Sequence, residues 1–213
     1  MLPPQSGLAA LCGLFPGYSL FIPFSGFGCK YRRITAVQEA CMFLYEKELA
    51  RLKEVLSRRG RENVVFRPAN HMDIEYLEGL LYPENIVAFY KEAEPSGWVE
   101  IDGAILNSIA NIWGENDNAN PGNIVVPYGL LNIGNTASGD TFCIDLNTIG
   151  KDHEPDIVLV SHHLVREGQT YKEIREAIHP VARSFREFLH KFAESLLPVD
   201  YWDREMESRL ENI

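Results

Sequence analysis

The sequence predicts an α+β fold: a central, mostly antiparallel sheet of four to six strands, packed on one face by N- and C-terminal helices and open on the other. Two observations lead to this prediction. Apolar residues recur at helical spacing before residue 91 and after residue 170, whereas the middle of the chain alternates with a period of two. In that middle region, the glycine-bounded turn Gly134–Gly139 joins two strand patterns.

The strand patterns surround two predicted turns. Six apolar residues mark the period of two around the main turn: Val125, Leu131, Ile133, Phe142, Ile144 and Leu146. Gly134 and Gly139 allow the positive backbone angles that this turn requires. Asp102-Gly103 marks a second hairpin turn, with residues 105–113 as the returning strand and residues 114–122 as a polar loop.

Helices are predicted on both sides of the strands. A capping box at Thr35 and Gln38 begins a helix that Gly60 ends, and further helices begin at Asn70 and near Pro83.

Two more helices close the domain. Thr170 caps the first, and His179-Pro180 bends or separates the pair. The last helix carries an apolar stripe of Val181, Phe185, Phe188, Leu189, Phe192 and Leu196.

The composition is that of an ordinary globular protein, with 46 % hydrophobic and 23 % charged residues in a chain of 213. That length favours one core plus an extension over two very small domains. Four cysteines are scattered without Cys-x-x-Cys spacing, which favours reduced thiols in a cytoplasmic protein. They are Cys12, Cys29, Cys41 and Cys143.

The formal net charge of −10 is unevenly distributed. Residues 1–67 hold ten Lys and Arg against five Asp and Glu, whereas residues 68–213 hold ten against twenty-five. An acidic half repels nucleic-acid phosphates and attracts a basic partner, so no direct nucleic-acid binding is expected from it. The alternative is that the acidic charge only keeps the protein soluble. Basic residues cluster near 30–33 and 58–61. They could bind anionic lipid or RNA, but we favour the alternative that they form a solvated helix surface.

Residues 1–29 contain no Lys, Arg, Asp or Glu, but prolines and glycines interrupt them. No apolar stretch there approaches the roughly 20 residues of a membrane span, and the basic region of a signal peptide is missing. We expect an apolar arm at 1–29, with an upstream start codon read in error as the alternative. A helical extension at 30–69, an α+β domain at 70–197 and an acidic tail at 198–213 follow. The extension is the part expected to build a homodimer, if one forms.

No pattern in the sequence predicts a catalytic, cofactor or metal site. The Gly134–Asp140 turn lacks the Gly-Lys-Ser/Thr ending and the following helix of a phosphate loop. Asp140 and Asp145 would point to opposite faces of a strand, and an Asp after such a glycine more often binds backbone N–H groups in the turn. His162-His163 would diverge as strand neighbours, and Glu187-x-x-His190 lacks the repeat of a di-metal site. We expect no enzyme, no cofactor and no metal.

The run from Leu130 to Asp145 resembles the signature of the SUKH superfamily, apolar-Gly-x-x-x-x-Gly-Asp-x-Phe/Tyr-Cys-hydrophobic-Asp. Residues 73–90 resemble its two opening helices, with Tyr82 standing where leucine is usual. Residues 155–163 resemble its third core strand and residues 181–189 its closing helix. The resemblance spans about residues 70–197, as four blocks in the family's order.

The resemblance implies a non-catalytic protein-binding domain. Bacterial members of the superfamily are immunity proteins that neutralise polymorphic toxins, and fungal members are scaffolds that regulate cell-wall synthesis. We expect an immunity protein whose acidic surface occludes a basic toxin domain, with the scaffold as the alternative. We prefer Trp113 to Trp98 as a contact because it leads into a polar, acidic segment. The expected partner contacts are Trp113, Glu115, Asp117, Asp102, Asp152 and Glu154, and the expected structural motif is Gly134, Gly139 and Asp140.

Overall fold

The computed structural model describes residues 43–148 and 154–203. The predicted arm at 1–29, the Thr35 and Gln38 capping box, the contact candidate Asp152 and the last ten residues lie outside them.

Helices and strands alternate in groups along the described part of the chain. The α-helices are α1 (Glu46–Arg58), α2 (His71–Gly79), α3 (Glu84–Ala93), α4 (Ile109–Asn118), α5 (Gly122–Val125), α6 (Tyr171–Arg175) and α7 (Phe185–Ala193). The strands are β1 (Phe66–Arg67), β2 (Glu94–Pro95), β3 (Val99–Ile101), β4 (Ala104–Leu106), β5 (Leu130–Thr136), β6 (Thr141–Asp145), β7 (Asp156–Val160) and β8 (Ile178–Ala182). Short 3₁₀ turns occupy Val126–Tyr128 and Leu146–Thr148.

The strands from β3 to β8 form one six-stranded sheet in sequence order, and every neighbouring pair is antiparallel. β1 and β2 pair separately. The predicted α+β class with a central antiparallel sheet is confirmed, at the upper end of the predicted strand number.

The main core lies between one sheet face and the helices α1, α3 and α7. Tyr45, Phe89 and Phe185 meet edge to face at its centre, with ring centroids 5.2 to 5.7 Å apart, an arrangement that complements the charge distribution of aromatic rings. Leu52 of α1 and Tyr201 near the end of the described residues are buried in the same core. Residues before 70 and after 197 therefore help to build it.

A second, smaller core covers part of the opposite sheet face. Successive side chains of a strand point to opposite faces, so Phe142 enters the main core while Cys143 enters the second one. The second core consists of Val125, Leu130, Cys143, Val158, Val160, Val165, Ile174, Ala177 and Ile178. The expectation that one sheet face stays open is therefore wrong where α5 and α6 cover it. Val125 belongs to α5, not to the strand pattern in which we placed it.

The predicted returning strand 105–113 and polar loop 114–122 are wrong in part, because β4 ends at Leu106 and α4 follows. Ser108 caps α4 by accepting a hydrogen bond from the N–H of Asn111. Ile109 and Ile112 are buried on its inner side. Burial and the cap hold a helix that its own glycine and asparagines disfavour.

The region around His179-Pro180 is a strand, β8, and not a helix junction. Proline lacks an N–H, but the position is tolerated because β8 is an edge strand with an irregular register against β7. Val181 thus belongs to β8, and Leu196 lies exposed beyond α7. The remaining predicted stripe of α7 is buried as expected.

The two glycines of the main turn have different roles. Gly139 has a positive φ of 100°, as predicted. Gly134 lies inside β5, where a Cβ would stand 2.2 Å from the carbonyl oxygen of Ile105 in β4. Close approach of two strands, and not a positive φ, requires glycine at this position.

Candidate functional site

Helix α4 presents two different outer surfaces. Its inner side is fixed by Asn116, whose Oδ1 accepts a 3.0 Å hydrogen bond from the N–H of Asn132 in β5. The Nδ2 of Asn116 donates to the hydroxyl of Tyr82, which itself donates to the carbonyl oxygen of Asn132. Burial raises the pKa of the Tyr82 phenol well above its usual range, so the hydroxyl stays protonated and can donate. The network holds α4 at a fixed position over the sheet.

One outer surface joins α4 to α2. The indole of Trp113 stacks on the ring of Tyr76, with centroids 5.5 Å apart, and its Nε1–H donates to the Asp117 carboxylate. Trp113 is 54 % exposed and Met72, one turn before Tyr76, is 79 % exposed. We call this surface the α2–α4 face; it comprises Met72, Glu75, Tyr76, Trp113 and Asp117. Neither helix contains a lysine or arginine.

The other outer surface of α4 borders a groove of about 270 Å³ over β4 and β5. We call it the Trp98 groove; its lining is Trp98, Ile105, Asn107, Ala110, Asn111, Gly114, Glu115, Asn135 and Thr136. It lies on the sheet face opposite the main core, because Ile105 alternates with the buried Ala104 and Leu106. The part of this face over β4 and β5 is therefore recessed but accessible.

Trp98, which we expected to be a less favourable contact than Trp113, is 67 % exposed. The period of two could have revealed this. Val99 and Ile101 point into the main core, so Trp98 belongs to the opposite face. The groove brings it together with Glu115, whose carboxylate forms no ion pair with any described residue.

Three of the predicted contacts, Trp113, Glu115 and Asp117, lie together on α4, whereas two others have partners elsewhere in the fold. Asp102, in the β3–β4 turn, binds both guanidinium nitrogens of Arg59 at 2.5 and 2.7 Å, and this contact lowers the pKa of its carboxyl. Glu154 accepts a 3.1 Å hydrogen bond from the N–H of Phe185, at the start of α7.

Asp140 binds backbone N–H groups, but of distant segments and not of its own turn. Its buried carboxylate accepts hydrogen bonds from the N–H of His162 at 3.1 Å and from the N–H of Tyr201 at 2.7 Å. It also contacts the Nδ1 of His162 at 2.8 Å. The expectation that His162 and His163 diverge on a strand is wrong: both follow the end of β7, and their ring centroids are 3.8 Å apart.

Within residues 43–148 and 154–203, no three His, Cys, Asp or Glu side chains gather as they would around a metal ion. No helix in the same ranges is long and apolar enough to cross a membrane. The thiol of Cys143 is buried, which raises its pKa and opposes formation of a reactive thiolate.

Comparison with known proteins matches the central part of the chain to one family. The model of the SMI1 / KNR4 family (SUKH-1) matches residues 68–191, which run from just before α2 to within α7. No curated protein matches the sequence. Domains of this family are protein-interaction modules. Because the match covers more than half of the chain, the chain belongs to the SMI1 / KNR4 (SUKH-1) family.

Proposed function

We propose that this protein is a non-catalytic binding domain that acts as an immunity protein, neutralising a cognate toxin by covering a basic surface of the toxin. The observation that supports this most is the α2–α4 face. There a large exposed aromatic, Trp113, stands among carboxylates on two helices without a lysine or arginine.

The aromatic part of the face would supply affinity. Trp113 stacks on Tyr76 and is oriented by Asp117, so little conformational freedom is lost when a partner covers it. Tryptophan is enriched among the few interface residues whose truncation costs about 2 kcal/mol or more. Met72 beside it adds an adaptable apolar contact.

The acidic part would supply the rate of association and the choice of partner. Glu75 and Asp117 are exposed, and Glu115, on the neighbouring groove, is half-buried, so the three add negative charge to this part of the surface. Complementary charge steers a basic partner and disfavours acidic ones. A toxin that binds nucleic acid would carry the required basic surface. Asp102 and Glu154 serve the fold in this proposal, through Arg59 and α7.

The first test is a pull-down from the source cell lysate with the full-length tagged chain, followed by mass spectrometry. The proposal expects one dominant basic partner, retained by a Trp202→Ala control and lost with Trp113→Ala. The captured partner, expressed alone, should be toxic and should lose its toxicity when the wild-type chain is added. A captured partner without toxicity would overturn the immunity role.

Several sub-stoichiometric partners without toxicity would favour the alternative, a regulatory scaffold that recruits other proteins. Association kinetics then test the face itself. Charge reversal by Glu75→Lys and Asp117→Lys should slow association and weaken its salt dependence. The control is Glu167→Lys, because Glu167 is exposed and far from both helices in sequence. It should have a smaller effect on the association rate and on its salt dependence. Unchanged kinetics would remove this surface from the proposal.

A further inference from the structure

We propose that the Trp98 groove binds an arginine side chain of the protein partner, with the guanidinium stacked on Trp98 and paired with Glu115. This inference rests on the proposed function, because it names the chemistry of the partner. Three features of the groove carry it.

The first feature is its charge. Glu115 is the one charged side chain among the nine that line the groove. Four other grooves on the described surface each contain at least one lysine or arginine, which would repel a cationic ligand. Glu115 is half-buried, forms no ion pair within residues 43–148 and 154–203, and lines the same groove as the exposed indole of Trp98. Such a site is suited to a cation that also stacks on an aromatic ring.

The second feature is a set of three hydrogen-bonded amide side chains, two of which, Asn107 and Asn135, line the groove. The Nδ2 of Asn107 donates to the Oδ1 atoms of Asn132 and Asn135, at 3.0 and 2.6 Å. The Nδ2 of Asn132 also donates to Asn135 Oδ1, at 3.0 Å. These bonds fix the orientation of Asn107, and no donor in the described part of the chain reaches its Oδ1. The groove thus offers a neutral acceptor, Asn107 Oδ1, in addition to the Glu115 carboxylate.

The third feature is Gly114, in the middle of α4. A Cβ at this position would meet nothing within 4 Å, and the residue has no positive φ. Glycine inside a helix is less stable than alanine by about 0.5 to 1 kcal/mol, and neither backbone conformation nor packing explains it here. The missing side chain leaves room in the groove that Trp98 and Glu115 also line.

Arginine fits these features better than lysine. Its planar guanidinium stacks on an indole and presents five N–H donors in a fixed geometry, whereas the lysine ammonium is a strongly hydrated point charge. The groove supplies one flat aromatic surface, one carboxylate and a preoriented amide oxygen, which together accept several donors lying in one plane.

The test is an NMR titration of the full-length ¹⁵N-labelled chain with N-acetyl-arginine methylamide, observing the Trp98 indole N–H, assigned with a Trp98→Phe variant. We expect saturable shifts with a Kd on the order of 1 mM. The citrulline analogue has the same shape but no charge and should bind at least about tenfold more weakly. Equal shifts from both, or no shift at about 30 mM arginine ligand, would overturn the proposal.

Variants separate a groove effect from general charge attraction. Glu115→Gln should weaken arginine binding by about tenfold, and Gly114→Met, which fills the groove, should abolish it. Glu167→Gln and Trp202→Ala should leave the titration unchanged. Binding that survives Gly114→Met would place the ligand elsewhere and refute the assignment. Thermal unfolding of each variant shows that it remains folded.

This titration needs no partner, so the two proposals fail separately. Arginine binding without a captured toxin would retain the groove and refute the immunity role. The opposite outcome is a captured toxin that binds the Trp98→Ala variant as tightly as wild type, together with no chemical-shift changes on addition of the arginine ligand. That outcome would refute arginine binding in the groove and leave the immunity role standing.

Discussion

The backbone N–H of Tyr201 donates a 2.7 Å hydrogen bond to the carboxylate of Asp140, which lies 61 positions earlier in the sequence. The same carboxylate binds the N–H of His162. Asp140, which follows Gly139 in the run from Leu130 to Asp145, thus joins three segments of the chain through its buried carboxylate.

We expect Asp140→Ala to lower the free energy of unfolding by about 3 kcal/mol, because it leaves two backbone N–H groups without their acceptor. Urea denaturation at neutral pH measures this, with Glu167→Ala as an exposed control. A loss under about 1 kcal/mol would mean that water or another acceptor replaces the carboxylate.

Tyr82 provides a second test of stability, because leucine is usual at this position in the SUKH superfamily. Its hydroxyl links the turn before α3 to both α4 and β5. Tyr82→Phe should cost about 1 to 2 kcal/mol, because the Asn116 and Asn132 groups lose a buried partner. Tyr171→Phe, in which the phenol is partly exposed, serves as the control in the same denaturant titration.

The fully buried carboxylate of Asp145 is paired with Arg175 of α6. Arg175→Met should destabilise the fold by about 3 kcal/mol, because it leaves a buried charge without its cation. The double variant Asp145→Asn with Arg175→Met should recover part of that loss in a double-mutant cycle. Additive losses would contradict a direct coupling of the two residues, and Arg166→Met controls for loss of an exposed arginine.

Glu94 makes stability depend on pH. Burial raises the pKa of its carboxyl above the ordinary value of 4.5. The folded state therefore holds the proton more tightly than the unfolded state, and stability falls as pH rises from about 4.5 through the raised pKa. Glu94→Gln keeps an acceptor for the N–H of Ile109 and should be more stable than wild type at pH 7. The advantage should shrink toward pH 4, and a pH-independent difference would contradict this origin.

Two glycines form a matched pair. Gly114→Ala should raise the free energy of unfolding by about 0.5 to 1 kcal/mol, because the added methyl group meets open space in a helix. Gly134→Ala should lower it by at least about 2 kcal/mol, because its Cβ would collide with the Ile105 carbonyl. Thermal unfolding measures the stability of both variants. Equal changes in stability would refute the different roles assigned to the two glycines.

The sequence predicted those elements whose stability is local. The β5–β6 hairpin has a glycine turn between two alternating arms, and α7 has a strong apolar stripe. α4 was missed because its glycine and asparagines are poor helix formers, and contacts with β5 hold it in place. β8 was missed because proline is unusual in a strand, and only the sheet order shows that this strand is an edge.

The candidate site was predictable only in part. Trp113, Glu115 and Asp117 are neighbours in sequence, so one helix carries all three. The pairing of Trp98 with Glu115 depends on how α4 crosses the sheet, and no local pattern encodes that crossing. The contacts that occupy Asp102 and Glu154 are likewise long-range, with Arg59 and Phe185.

The six-stranded sheet separates the aromatic core from the Trp98 groove, since Leu106 and Ile105 are adjacent in β4 but point to opposite sides. A lineage under selection for a new partner can therefore exchange groove residues without repacking the core. Recognition chemistry can diversify among descendants while the scaffold that presents it is inherited unchanged.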